Sequence, residues 1–488
     1  MASQEHLTVT KSVPTEIESP AKIWKVGTLV YTSSGISLLF CWLLVGDFAW
    51  SMRDRSVAPM SQWYLDQLRV PGLVFGLLVS SLPAVIQLII GPLISVKSDR
   101  YRSRWGRRIP FLLITTPLAA LGMIGLGLTP LFAKWLHGLC NSEPVGTWLH
   151  QVLGHGKVGM WALSMLANEM VVSVVCFSLF WTSFEVASIA GKPLFDGLIN
   201  DVVPRPLLGR FYGLFRAVSL LDGMIFNYWL IGYVPGNFTV VMICIGFFYG
   251  TAFTWVCLRV KEGSYPVPPE MPHTRKLKNF TSEMGRYCRE CFSNSYYLYV
   301  FGMIMLSGLC FVPVNVFAIP FAKHVGVDMA TYGKAVALTY LISMGLAYFL
   351  GWLADRFHPL RVSMAVLTGY AFVAIWGSLF ARNAETYLTA WVLHGVLSGC
   401  YFTSAASLGL RLFPHEKFAQ FASAAAMFGA FANIFMAPMM GMIIDYSGST
   451  YRYTYGMAGL LALLALGMSW MVYIRFERLG GVKAYQAP

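Results

Sequence analysis

Long apolar runs alternate with short polar breaks along the whole of this chain, and most runs reach the roughly 20 residues that a helix needs to cross a bilayer. The runs fall at about 26–50, 70–96, 109–133, 158–188, 208–234, 238–258, 296–320, 333–353, 362–380, 386–410, 417–444 and 454–474. The first is followed by MRDRSVAPMSQWYLDQL, which reads either as a rim loop or as the continuation of a long, tilted helix. The longest polar break, Arg259 to Ser295, opens Pro-rich, so it cannot continue a helix, and closes on KLKNFTSEMGRYCRECF, which suits an amphipathic helix on a lipid surface. Six spans lie on each side of it. The pattern predicts a tail (1–25), a six-helix bundle (26–258), a linker (259–295), a second six-helix bundle (296–475) and a closing tail (476–488).

Composition sharpens this to an all-α integral membrane protein. Of the 488 residues 56% are hydrophobic and 12% charged, and the mean hydropathy is +0.59, too little polar surface to solvate a globule of this size. Residues 1–22 are polar and the first run is long enough to span, so an uncleaved anchor is expected in place of a cleaved signal peptide. The net charge of +13 raises the possibility of a nucleic-acid partner, and its distribution argues against one. With both termini on one side, that side holds 26 of the 36 Lys and Arg. The exceptions are Arg53, Arg55, Arg69, Lys134, Lys157, Lys323, Lys334, Arg382 and Arg452 opposite, and Arg216 within a helix. That asymmetry predicts cytoplasmic termini in a plasma (inner) membrane protein and assigns the basic excess to anionic lipid. The nine cysteines fall mostly in apolar runs, and no disulfide framework is expected. Cys288 and Cys291 form a lone CxxC without a second pair, and no metal site is expected. The NFT sequences at Asn237 and Asn279 are weak glycosylation signals.

An internal repeat supports the two bundles. GPLISVKSDR ends the second span of the first half and AYFLGWLADR ends the second span of the second, each placing Asp-Arg (Asp99, Arg100; Asp355, Arg356) at a helix end followed by basic residues. Paired six-helix units suit a transporter that rocks about a central site. SDRYRSRWGRRIPF and GWLADRFHPLR resemble the loop motif of the major facilitator superfamily. The extended form, with SDR, then SR-x-GRR and Pro-Phe, is similar to the sucrose/proton symporters and the related glycoside-cation symporters. The resemblance implies a fold of 12 transmembrane helices in two six-helix halves. It also implies a charge clasp made by Asp99, Arg100, Arg107 and Arg108 in the first half and by Asp355, Arg356 and Arg361 in the second. One departure is Ser95 where the second copy has Gly351, four residues before the aspartate. A purely topogenic role for the arginines is the alternative.

Charges inside the spans are functional suspects by their expense. They are Asp47 in the first run, Glu169 and Glu185 in the fourth, Arg216 and Asp222 in the fifth, and His394 in the tenth. Glu185 and Arg216 lie at matching depth on antiparallel helices, so they are expected to pair in a structural or gating role. Asp222, close to Asn227 and Tyr228, and Glu169, beside Asn168, are candidates for proton coupling, because a carboxylate in a low-dielectric span can exchange a proton as water access alternates. A hydrogen-bonded carboxylate locking helices together is the bland alternative. The triplet Asp47-Phe48-Ala49 resembles one in the first helix of the melibiose carriers, which implies sugar contact by Asp47, with Arg53 and Asp54 further up the same cavity wall. Aligned on Pro92, the positions that hold sodium-binding carboxylates in those carriers are Gln87 and Gly91 here. Sodium is therefore disfavoured, the proton is the expected coupling ion, and no other cofactor is expected.

Trp42, Trp181, Tyr228, Tyr340, Trp391 and Tyr401 fall where rings stack on sugars or simply pack. Asn315, between Pro313 and Pro320 in the seventh span, and Asn433 in the eleventh are polar candidates, and the prolines predict a bent helix. GVDMATYGKA has the wrong spacing for a phosphate-binding loop, which disfavours an ATP-driven pump, and no nucleophile or metal constellation suggests an enzyme. The expectation is a monomeric secondary transporter for proton-coupled symport of a sugar or glycoside by alternating access. Efflux of an amphipathic small molecule, or a transporter-like assembly scaffold, is the alternative.

Overall fold

A computed structural model of the protein describes residues 23–265, 285–287, 289–414 and 417–488. Asn279 and Cys288 lie outside the described residues, as do most of the amphipathic stretch of the linker and the first 22 residues of the tail. Among the described residues ten helical stretches are long and apolar enough to cross a membrane, and one of them, Arg205–Arg259, runs through two passes.

The first helix departs from its predicted bounds at both ends. It begins at Ser33, because Thr32 caps it by accepting from the Gly35 N–H at 3.2 Å. The residues ahead of it, Trp24–Val26 and Leu29–Tyr31, form a short antiparallel hairpin turned at Gly27, whose φ of +54° suits glycine. At the other end the helix continues to Gln67 through Pro59. Arg53 and Arg55 therefore sit inside the first span, not on a rim loop.

The second span covers Gly72–Arg100 through a π turn at Leu77–Ser81, and the third covers Ile109–Cys140. The predicted run 158–188 is two helices. Lys157–Leu166 is a short one, and Asn168 then caps the fourth span, Glu169–Val202, with its side chain accepting from the Met170 and Val171 N–H groups. The fifth span, Arg205–Ile225, passes through a π turn at Phe226–Leu230, and the sixth, Val234–Arg259, is kinked at Asn237. The seventh is broken as its prolines require, into Ser295–Leu309, Val312–Val316 and Ala318–His324. Met329–Phe357, Pro359–Phe380, Ala384–Ala405, Phe418–Tyr446 and Tyr453–Arg478 complete the set.

Spans one to six pack mainly among themselves, as do seven to twelve. The two sets meet where the second span crosses the eleventh, the fifth crosses the eighth, and the first meets the seventh's last segment. These meetings share one side. Lys323 is ion-paired with Asp66, the Gly72 and Leu73 N–H groups donate to Asp445 at 2.9 and 3.1 Å, and Phe75 stacks on Phe317. Glycine is required at the helix crossing, because a Cβ on Gly76 would stand 2.5 Å from the backbone of Ala437. All these residues lie toward the membrane face opposite the termini, so the molecule is closed on that side.

Candidate functional site

Helical spacing puts Asp47, Ser51 and Asp54 on one face of the first span, with Trp50 and Arg53 beside them. Arg53 is 1% exposed, and its guanidinium is fully engaged. It donates to Asp54 Oδ1 at 2.5 and 3.2 Å and to the Tyr249 hydroxyl at 3.3 Å, and lies 3.9 Å from the centre of the Trp50 ring. Trp50 Nε1 donates to the other carboxylate oxygen of Asp54 at 3.1 Å. The Asp54 side chain is nevertheless 46% exposed. Its carboxylate is thus fixed by Arg53 and an indole while remaining partly exposed. Asp47 is buried, accepts from Ser51 at 3.3 Å through Oδ1, and has no partner for Oδ2 among the described residues.

Asp222 is fully buried in the fifth span, and neither carboxylate oxygen has a hydrogen-bond partner among the described residues. Arg55, Asp47 and Asp54 are the charges within electrostatic reach of it. Arg55 spans the two helix sets, with Nη1 donating to the hydroxyl of Tyr340 on the eighth span at 3.0 Å. Asn227 turns its amide to the Gly223 carbonyl at 2.8 Å, so it is satisfied within its own helix. Asn315 reaches the second set's interior, where its Oδ1 lies 3.1 Å from His394 Nε2, and His394 Nδ1 lies 2.9 Å from the Tyr370 hydroxyl. Sequence reasoning flagged His394 but not the relay, which joins three helices far apart in the chain.

Two expected features, a buried coupling carboxylate at Glu169 and a structural or gating pair, are absent from the geometry. Glu169 is exposed in the first turn of the fourth span, because Asn168 ends the preceding backbone and starts the helix there; it is not a buried carboxylate. Glu185 and Arg216 do not pair. The first helix stays in the membrane through its arginines, so Glu185 faces Arg53 and Asp54, while Arg216 faces Arg55 and Tyr340.

The clasps are also rearranged. In the first half Arg108 binds Asp99 at 2.6 Å, but Arg107 binds Asp201 of the fourth span at 2.5 and 2.9 Å, with Asp99 3.9 Å away. Its hydrogen bonds to Asp201 hold the Arg107 guanidinium above its ordinary range. Arg100 has no ion pair with the motif aspartate. Glu262, just past the sixth span, accepts from the backbone N–H groups of Arg107, Arg108 and Ile109 at 2.9, 2.8 and 2.7 Å, capping the positive end of the third helix. Sequence reasoning missed Asp201 and Glu262. Their only signal is that they are acids among the basic residues at span ends. Glu262→Ala leaves these donors without their carboxylate and is expected to lower stability by about 1–3 kcal/mol, read from the unfolding midpoint in detergent. In the second half Asp355 pairs with Arg411 at 2.9 Å; Arg361 turns to Glu477 at 2.9 Å and Arg356 lies against Trp352. Asp355 sits at the eighth helix's end, so the basic residue near it is the one following the tenth span.

The second-half loop also holds His358, in the left-handed region at φ 78°, with Nδ1 accepting from the Leu360 N–H at 3.3 Å and its ring against Phe476. Burial first, then Arg411 and Arg361, push its pKa down to about 4. The unfolded chain binds a proton near pH 6.5 that the native state does not, so native stability is complete above pH 6.5 and falls between there and about 4. The loss is expected to be about 3 kcal/mol at pH 4. His358→Asn, which tolerates the same backbone and keeps a capping oxygen, should flatten that part of the unfolding-versus-pH curve.

Residues 300–483 match the sequence profile of the Major Facilitator Superfamily. No curated protein sequence matches the chain. Among solved structures it is similar to a bacterial homologue of the human lysosomal transporter Spinster, inward-facing and unoccupied, with 13% identity over 91% of this chain and 98% of that one and a TM-score of 0.61. It is also similar to the nucleoside transporter NupG (11% identity, 90% and 99% covered, TM-score 0.59) and to a D-xylose-proton symporter (13%, 89% and 96%, 0.57). The matched family and these neighbours are transporters, not enzymes. The sequence profile and the arrangement of the helices agree: this chain is a multi-pass membrane protein with the major facilitator fold.

Proposed function

We propose that the protein is a secondary transporter that couples entry of a sugar or glycoside to a proton by alternating access. The observation that carries this reading is the mid-membrane cluster of Asp54, Arg53, Trp50 and Asp222, placed beside the Arg55–Tyr340 link between the two helix sets. Asp54 offers an acceptor of the kind polyols use, while Asp222 is a buried carboxylate within electrostatic reach of Arg55. With the termini taken as cytoplasmic, closure on the far side fits an inward-facing state. Fixed polar recognition, an isolated acid and a one-sided closure are the parts a coupled carrier needs. A D-xylose-proton symporter among the structural neighbours fits the same reading.

Asp47 supports the sugar-facing wall, and sodium has no carboxylate at Gln87 or Gly91. The small-molecule substrate and the bilayer are then the partners, with one chain forming the carrier. The test is uptake of radiolabelled mono-, di- and aryl-glycosides into proteoliposomes, with and without an inward proton gradient. Gradient-dependent accumulation supports the proposal; absence of uptake for every sugar sinks it. A second reading, efflux of an amphipathic compound, is favoured by one feature. A cavity of about 640 Å³ on the second set's side is walled by Met305, Phe311, Val312, Tyr401 and Phe402. Outward movement of a lipophilic dye in the same vesicles would select it.

A further inference from the structure

The same cavity carries two polar groups, Asn315 and Asn433, on otherwise apolar walls. The Asn315 side is held from behind. With its Oδ1 placed 3.1 Å from His394 Nε2, Asn315 can only accept there, which matches the Nε2–H tautomer of His394. A neutral His394 then has its lone pair on Nδ1, 2.9 Å from the Tyr370 hydroxyl, whose one proton is placed between it and the more distant Cys310 carbonyl at 3.4 Å. The imidazole cannot tilt away, because Trp391 stacks on it at 5.3 Å and 13° and the residue is fully buried. With Oδ1 occupied, the Asn315 amide nitrogen is the group left to donate to whatever fills the cavity it lines. Asn433 complements it, since its Oδ1 is buried and has no hydrogen-bond partner among the described residues.

We propose that Tyr370 and His394 are positioning residues that fix Asn315 as a donor, so that together with Asn433 it binds a hydroxyl group whose neighbouring apolar ring fills the cavity. A hydroxyl is the group that accepts from one amide and donates to the other. This rests on reading the chain as a carrier and narrows its substrate class to hydroxylated amphipaths, such as aryl glycosides, over free sugars. Removing the Tyr370 donor frees His394 to protonate at Nδ1, which would let the Asn315 amide flip and present the wrong polarity.

Two measurements test this without depending on transport. In ¹⁵N-histidine spectra of the reconstituted full chain, with the His394 signal assigned by its loss in His394→Gln, the proposal requires the Nε2–H tautomer and a change of tautomer in Tyr370→Phe. An Nδ1–H signal in the unaltered protein, or no change in Tyr370→Phe, overturns the positioning role. For the ligand class the probe is 4-nitrophenyl β-D-glucoside, followed by calorimetric titration. It is expected to bind about tenfold more tightly than glucose and to weaken about tenfold in Asn315→Leu and His394→Phe, but only two- to threefold in His394→Gln, which keeps an N–H donor. Equal loss in His394→Phe and His394→Gln would mean packing, not positioning. Binding of glucose but not of the nitrophenyl glycoside would overturn the ligand class and leave the transport reading standing. Failure of uptake with the tautomer and binding pattern intact would do the reverse.

Discussion

Asp222→Asn is expected to abolish gradient-driven accumulation while leaving equilibrium exchange of substrate intact. A pH difference of one unit is worth about 1.4 kcal/mol per proton, so a symporter moving one proton per substrate reaches about tenfold accumulation. The Asp222→Asn protein should stop at a ratio of one. The reasoning is electrostatic. Asp222 is buried without hydrogen-bond partners, and an anion there is costly unless a cation pairs with it. Arg55 is the positive charge within reach, and in this state it is held by Tyr340 of the eighth span. On the proposed reading a charge on Asp222 would compete with Tyr340 for Arg55, so that the Asp222 proton biases the link between sets. The amide is neutral like the protonated acid and cannot exchange a proton, so it separates substrate movement from the gradient. Accumulation unchanged by Asp222→Asn would remove Asp222 from coupling, and Asp47, buried with one free oxygen, would be the next variant.

The second large effect is on stability. Asp54→Leu leaves the guanidinium of Arg53 in the protein interior without its carboxylate, and breaking a buried pair from one side costs about 3–5 kcal/mol. The partial exposure of Asp54 and the residual contacts of Arg53 with Tyr249 and Trp50 set the expected loss near the lower end, about 3 kcal/mol. The double variant Arg53→Met with Asp54→Leu should recover most of it, because neither charge then remains. Thermal unfolding of the four proteins in one detergent gives the cycle. Additive losses would show that the two side chains do not act as a unit. Binding should separate from stability: the double variant folds but loses its affinity for sugars.

Helix number and order were legible because hydrophobic length is set by the bilayer and local polarity ends each run. Helix ends were less so. The first helix continues past Trp50 because Arg53 finds Asp54, Trp50 and Tyr249, an arrangement made by another span and invisible in a linear pattern. The fourth span begins late because a single asparagine caps it, and that cap moves Glu169 from the interior to the surface. Pairing was the least legible. Arg107 and Arg108 were found as clasp residues, yet Asp201 and Glu262 were not, since acids at polar span ends look like ordinary solvated charge. The resemblance placed Arg361 with Asp355, whereas helix packing brings Glu477 to it. Asn315 and His394 were each suspect alone. Their relationship is tertiary.

The most direct test of coupled entry is proton movement itself. Proteoliposomes in weakly buffered medium without an imposed gradient receive a transported glycoside from the uptake panel, and external pH is followed. Symport predicts a transient alkalinisation that is present in the unaltered protein and absent in Asp222→Asn. Substrate entry with no pH change, or with acidification, would contradict it.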